Sequence, residues 1–229
     1  NYYNKISTNQ TITITISDQY GFVNGIQHST NVVMTGGIAT ATLDIRTAGN
    51  LTVTAQDNDG IPPNMLQHIS SQIPVEPGPA QFLQVLVPGE QHIPGKPPYS
   101  GTDPTGGKSG LPDSDGNNGN GIQPWTAGVP FEATINICDN YWNIAKASET
   151  IVIRSNETDN LDQGWPGYTD VIVSSKVLTG LDRPYLVAVS SQAYILAQNI
   201  TTWNLPSGTA NRTQYIKVSA GSAQKLIVY

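Results

Sequence analysis

Asp113-Ser114-Asp115-Gly116-Asn117 sets three oxygen-bearing side chains at alternate positions along a turn. Hard cations such as calcium take carboxylate and amide oxygens presented in this way, so Asp113, Asp115 and Asn117 are candidate calcium ligands. An EF-hand loop needs Gly at its sixth position and Glu at its twelfth. Counted from Asp113, those positions hold Asn118 and Pro124, so the stretch lacks that loop's ligand set. Asp-Gly and Asn-Gly also close ordinary turns, and the plain turn is the first expectation, with calcium the alternative. Asp57-Asn58-Asp59-Gly60 is a shorter case of the same kind.

Other reactive types lack the spacing that chemistry needs. Thr105-Gly106-Gly107-Lys108-Ser109 ends like a phosphate-binding loop, but the first glycine of that motif would stand at 102, where the chain has Thr102. His28, His68 and His92 are far apart and show no metal-ligand spacing. No Gly-x-Ser-x-Gly element and no cysteine with a sequence-local base occurs. The expectation is therefore a chain that is not an enzyme, with no catalytic residue and no cofactor other than calcium. Asp18 and Asp139 each end a strand-like run, where a carboxylate can accept backbone N–H groups and close a turn.

Five Asn-x-Thr sequons make Asn9, Asn50, Asn156, Asn199 and Asn211 candidate glycosylation sites. The one cysteine, Cys138, excludes an internal disulfide framework. It falls out of phase with Ala133, Ile135 and Ile137, which predicts an accessible thiol on the other face of its strand.

The elements that must position these groups are strands. Thr11-Ile12-Thr13-Ile14-Thr15-Ile16 alternates with period two, as do Leu51–Ala55 and Phe131–Ile137. Short apolar runs bounded by turn residues follow at Ile151–Ile153, Val171–Val173, Tyr185–Val189 and Leu226–Val228. Charged residues make up only 12% of the chain, well below the average domain, and Gly, Ser, Thr and Asn are plentiful, so an all-β fold is expected. The net charge of −6 and 11 basic residues without a stripe argue against a nucleic-acid partner. No apolar run has the length of a membrane span.

Two blocks recur in the same order. TITITISDQY at Thr11–Tyr20 answers EATINICDNY at Glu132–Tyr141, and IPVEPGPAQFLQV at Ile73–Val85 answers IKVSAGSAQKLIV at Ile216–Val228. Tandem duplication follows, with module one over 1–78 and module two over 79–220. Residues 88–128 hold 17 of the chain's 38 glycines and prolines and no periodic strand. They read as a long surface insertion in module two.

On Asp18-Gln19-Tyr20, Asp139-Asn140-Tyr141, Thr126–Phe131, Thr47–Ala55 and the Gly-x-Ala-x-x-Leu-x-Val junctions, the chain resembles the Ig-like repeats of large bacterial surface proteins of the invasin class. That resemblance implies tandem immunoglobulin-like β-sandwiches and a passive, extracellular or cell-surface role as stalk, sheath or filament. Partners would then be copies of the chain itself or neighbouring repeat modules. An adhesin binding a carbohydrate or receptor through Trp125, Trp142, Trp165, Tyr168 and Trp203 is the competing expectation, and an accessory domain of a secreted enzyme a third. Lys225, Leu226, Ile227, Val228 and Tyr229, matching Phe82–Leu86, read within 221–229 as the leading strand of a further module or as a strand donated to another copy, giving a head-to-tail fibre.

Overall fold

A computed structural model describes residues 9–62, 64–157, 166–200, 205 and 210–221. It is all-β, 43% strand and 3% helical, built from several mainly antiparallel sheets. The chain divides into two compact units, residues 1–76 and 77–229.

In the first unit the strands are β1 (Thr11–Ile16), β2 (Phe22–Val23), β3 (Ile26–Gln27), β4 (Ser29–Val33), β5 (Leu43–Asp44), β6 (Gly49–Leu51), β7 (Val53–Asp57), β8 (His68–Ile69) and β9 (Ile73–Val75). The largest sheet has the order β4-β1-β7-β8. β1 forms because alternating isoleucine and threonine suit a half-buried pleat. Its polar face is satisfied across the ladder, Thr13 Oγ1 bonding Asn31 Oδ1 and Thr15 Oγ1 bonding Ser29 Oγ, both at 2.8 Å. Among the described residues the buried apolar side chains of this unit are Ile16, Val23 and Leu51.

The second unit contains β10 (Phe82–Leu86), β11 (Gln91–His92), β12 (Lys108–Ser109), β13 (Trp125–Thr126), β14 (Ala133–Cys138), β15 (Ser148–Ser155), β16 (Tyr168–Val173), β17 (Ser175–Leu178), β18 (Ser190–Ala193), β19 (Ile195–Asn199), β20 (Ala210–Arg212) and β21 (Ile216–Ser219). Its sheets run β10-β14-β17, β16-β15-β19-β20 and β13-β21-β18, with a β11-β12 hairpin. Leu83, Val85, Ile135 and Ile137 from the first of these pack in one core with Ile151, Ile153, Ile195 and Ile216, an arrangement that is sandwich-like in character. Each of these fully buried aliphatic side chains contributes on the order of 2 kcal/mol.

β16 and β17 are consecutive but lie in different sheets, and the chain changes sheet at Ser174. Ser174 adopts φ 58° and is pinned on both sides, its N–H donating to Ala147 O and its carbonyl accepting from Ile137 N, each at 2.8 Å.

The structure corrects one expectation outright. Cys138 is fully buried, because β14 is covered on both faces. Ala133, Ile135 and Ile137 face the core, while Asn136 and Cys138 share the second face with Phe82 and Gln84 of β10, and the 88–128 segment lies over it. Burial pushes the Cys138 thiol far up from its usual range, so it is neither an accessible thiol nor placed for an interchain disulfide. The 88–128 segment carries β11, β12, β13 and a short 3-10 turn at Asn118–Asn120.

Candidate functional site

The duplicated Asp-x-Tyr signature builds the same corner twice. After β1, Asp18 accepts the N–H of Tyr20 at 3.0 Å, and Gly21 N donates to the Asp18 carbonyl at 3.3 Å. After β14, Asp139 accepts the N–H of Tyr141 at 2.8 Å, and Trp142 N donates to the Asp139 carbonyl at 3.1 Å. Each carboxylate then recruits further donors. Asp18 takes the N–H groups of Arg46 and Thr47 at 2.7 and 2.8 Å and the Thr47 hydroxyl at 2.7 Å. Asp139 takes Gly78 N at 2.8 Å and both the N–H and side-chain amide of Asn143 at 2.9 Å. Burial raises the Asp18 pKa, yet the hydrogen bonds from Arg46, Thr47 and Tyr20 outweigh it and hold the group below its ordinary 3.8.

The corners differ at one position, and that difference places the insertion. Gly21 has no room for a side chain, since a Cβ there would lie 2.7 Å from Asp44 O. Its counterpart Trp142 is fully buried at φ 64°, stacks 5.0 Å from Phe82 and donates its indole N–H to Pro98 O at 2.7 Å. Gly106 and Gly107 lie flat against the indole: a Cβ on either would come within 2.3 to 2.4 Å of Trp142 atoms. The glycines that looked like part of a phosphate loop are there for that contact.

Lys108, next in that motif, is buried with Glu90 at 3.4 Å, and its ammonium also reaches Val85 O. Burial lowers the Lys108 pKa, and Glu90 opposes the shift. Glu90 accepts Val87 N at 3.1 Å and Gln214 Nε2 at 3.0 Å. Beside this pair, buried Gln84 donates to Gly106 O and Gly107 O at 3.2 and 2.9 Å and accepts from Asn136 Nδ2 at 3.0 Å. His92 Nδ1 is 2.8 Å from the same Gln84 oxygen, and burial holds the imidazole pKa below 6.5. These are bonds that fasten an insertion to a sheet.

At the rim of the insertion a pocket of about 370 Å³ is lined by Pro104, Leu111, Pro112, Ile122, Arg212 and Tyr215 among others. The Arg212 guanidinium lies over Tyr215 at 4.5 Å and Tyr194 at 4.9 Å.

The remaining expected residues scatter. Trp125 and Trp142 are buried and Tyr168 is half-buried, so these three do not form an exposed aromatic patch. Trp165 and Trp203 lie outside the described residues, as do Lys225, Leu226, Ile227, Val228 and Tyr229. Asn9, Asn50 and Asn156 are exposed, whereas Asn199 and Asn211 are each 3% exposed and offer no free amide for a glycan in the folded chain. Asp113 is buried, Asp115 and Asn117 are exposed, and among the described residues no three His, Cys, Asp or Glu side chains cluster as a metal site. No described helix is long and apolar enough to cross a membrane. No family model, curated protein or solved structure matches the chain.

Proposed function

We propose that the chain is a non-catalytic structural module of an extracellular or cell-surface assembly, built from two Ig-like β-units and joined to copies of itself through its sheet edges. The observation that carries this reading is the duplicated corner. Asp18 and Asp139 occupy equivalent positions and each carboxylate accepts donors from its own turn and from distant segments, which supports reading the repeated element as architectural. The buried charges of the insertion are similarly engaged with one another and with backbone, not aimed at solvent.

The free edges supply the means of joining. Among the described residues β16 pairs only with β15 and β17 only with β14, each at the edge of its own sheet, and Val171 and Val173 of β16 and Val177 of β17 are 50%, 66% and 47% exposed. In the first unit β4 and β8 are edges among the described residues and expose Val33 and Ile69. Apolar edge strands with unpaired N–H and C=O groups favour strand addition. Sedimentation over a range of concentrations tests this: the wild-type chain self-associates, and Val171→Lys with Val173→Lys abolishes it. A chain that stays monomeric throughout would refute the reading.

A second reading, an adhesin, is favoured by the rim pocket with its stacked Arg212 and exposed Tyr215. Aromatic and guanidinium faces of this kind suit a saccharide ring or a carboxylate.

A further inference from the structure

We infer that the rim pocket captures the C-terminal residue of a peptide, one whose side chain is apolar. The inference rests on the second reading above and takes nothing from the joining of strand edges. At about 370 Å³ the pocket lies at the small end of the range for ligand sites. Two parts of the second unit build it. The insertion contributes an apolar wall of Pro104, Leu111, Pro112 and Ile122, with Leu111 48% and Ile122 39% exposed. Strand β20 and the residues after it contribute Arg212, Gln214 and Tyr215. Asn211 and Thr213 are buried while Arg212 and Gln214 are half-buried, so the alternation of an extended chain turns the latter pair together toward the pocket.

Arg212 is the one charged side chain among the described lining residues. Its guanidinium is held over the rings of Tyr215 and Tyr194 and gives an N–H to Thr213 O at 3.1 Å, which leaves its other donors for a ligand. No salt bridge claims it among the described residues. Asp103, held below its ordinary 3.8 by the Thr105 hydroxyl and N–H with the Arg212 charge adding to them, spends Oδ1 on those two Thr105 donors and forms no ion pair with the guanidinium. A planar fork of free donors matches a carboxylate.

Gln214 makes the opposite provision. Both hydrogens of its amide are committed, to Glu90 Oε1 at 3.0 Å and to Gly110 O at 3.2 Å, and since both partners are acceptors the amide cannot be turned over. Its carbonyl oxygen is left to accept an N–H. A carboxylate clamp, an N–H acceptor beside it and an apolar wall together describe one ligand, because the last residue of a peptide carries its carboxylate, its N–H and its side chain on a single carbon. A saccharide ring matches less well. Its hydroxyls each need a polar partner, whereas the wall from the insertion is proline, leucine and isoleucine and the Thr105 hydroxyl already donates to Asp103.

The test is an NMR titration of the isotopically labelled complete chain with acetyl-Gly-Gly-Leu, with its C-terminal amide and with glucuronic acid. The peptide acid is expected to shift the signals of Thr105, Leu111, Ile122 and Gln214 saturably, and the amide to bind about tenfold more weakly or worse, having lost the charged fork. Arg212→Gln weakens the acid by the same factor and leaves the amide's affinity unchanged, a split that a merely structural role of Arg212 does not produce. Ile122→Ala, at an exposed side chain, keeps the fold and weakens acid and amide alike. Absence of saturable shifts with the peptide acid up to about 10 mM would overturn the proposal, as would equal affinities for acid and amide. Tighter binding of glucuronic acid than of the peptide acid would contradict it while leaving the adhesin reading in place. Self-association, read by sedimentation, is independent of all these outcomes.

Discussion

Asp18 shows how a single residue can serve as a joint. It receives three backbone N–H groups and one hydroxyl while only 1% exposed, so Asp18→Ala leaves those donors buried without an acceptor. A loss of about 3 kcal/mol or more is expected, measured by urea unfolding. The pH dependence follows from the direction of its shift. Below its ordinary 3.8 but above the folded value, the unfolded chain binds a proton that the folded chain does not. The stabilisation is complete above 3.8 and is lost as pH falls through the folded value, and Asp18→Asn flattens that slope. A variant with the same acid sensitivity as the wild type would show that Asp18 is not the titrating joint. The turn itself was legible in the sequence, since Asp followed two residues later by an N–H donor is a local motif. The donors Arg46, Thr47 and Gly78 were not, because they come from segments separated in sequence by 28 residues or more.

At the scale of elements, the alternation of β1 and β14 and the repeat of β9 in β21 could be seen in the letters, because a pleated strand leaves a period of two. What the alternation cannot state is whether a strand's second face is wet. That depends on what lies over it, and here the cover is a Gly- and Pro-rich segment whose strands are two residues long, too short to leave any period. The Cys138 expectation failed for that reason. One signal was available: Phe82-Leu83-Gln84-Val85-Leu86-Val87 is nearly continuous in apolar residues, the mark of a strand buried on both faces. The Lys108–Glu90 pair beneath the cover gives a test of how it is fastened. Lys108→Met strands the Glu90 carboxylate and should cost about 3 to 5 kcal/mol, whereas adding Glu90→Gln keeps an acceptor for Val87 N and recovers about 2 kcal/mol or more in urea unfolding. Additive effects of the two substitutions would mean that the ion pair does not hold the insertion.

At the scale of the whole molecule, the account rests on two all-β units that repeat one corner and present apolar strand edges. The repeated corner was legible, since insertion of residues between matched blocks leaves their order intact. The edges were not, because a short apolar run such as Val171–Val173 does not say on which sides it pairs, and only the sheet order shows β16 pairing with β15 alone among the described residues. Cryo-electron microscopy of the purified chain at high concentration tests the central claim most directly. The account predicts linear assemblies in which the β16 edge of one copy forms main-chain hydrogen bonds with a strand of the next, and Val171→Lys with Val173→Lys eliminates them. Particles that remain single, or assemblies whose contacts leave that edge unpaired in solvent, would contradict it.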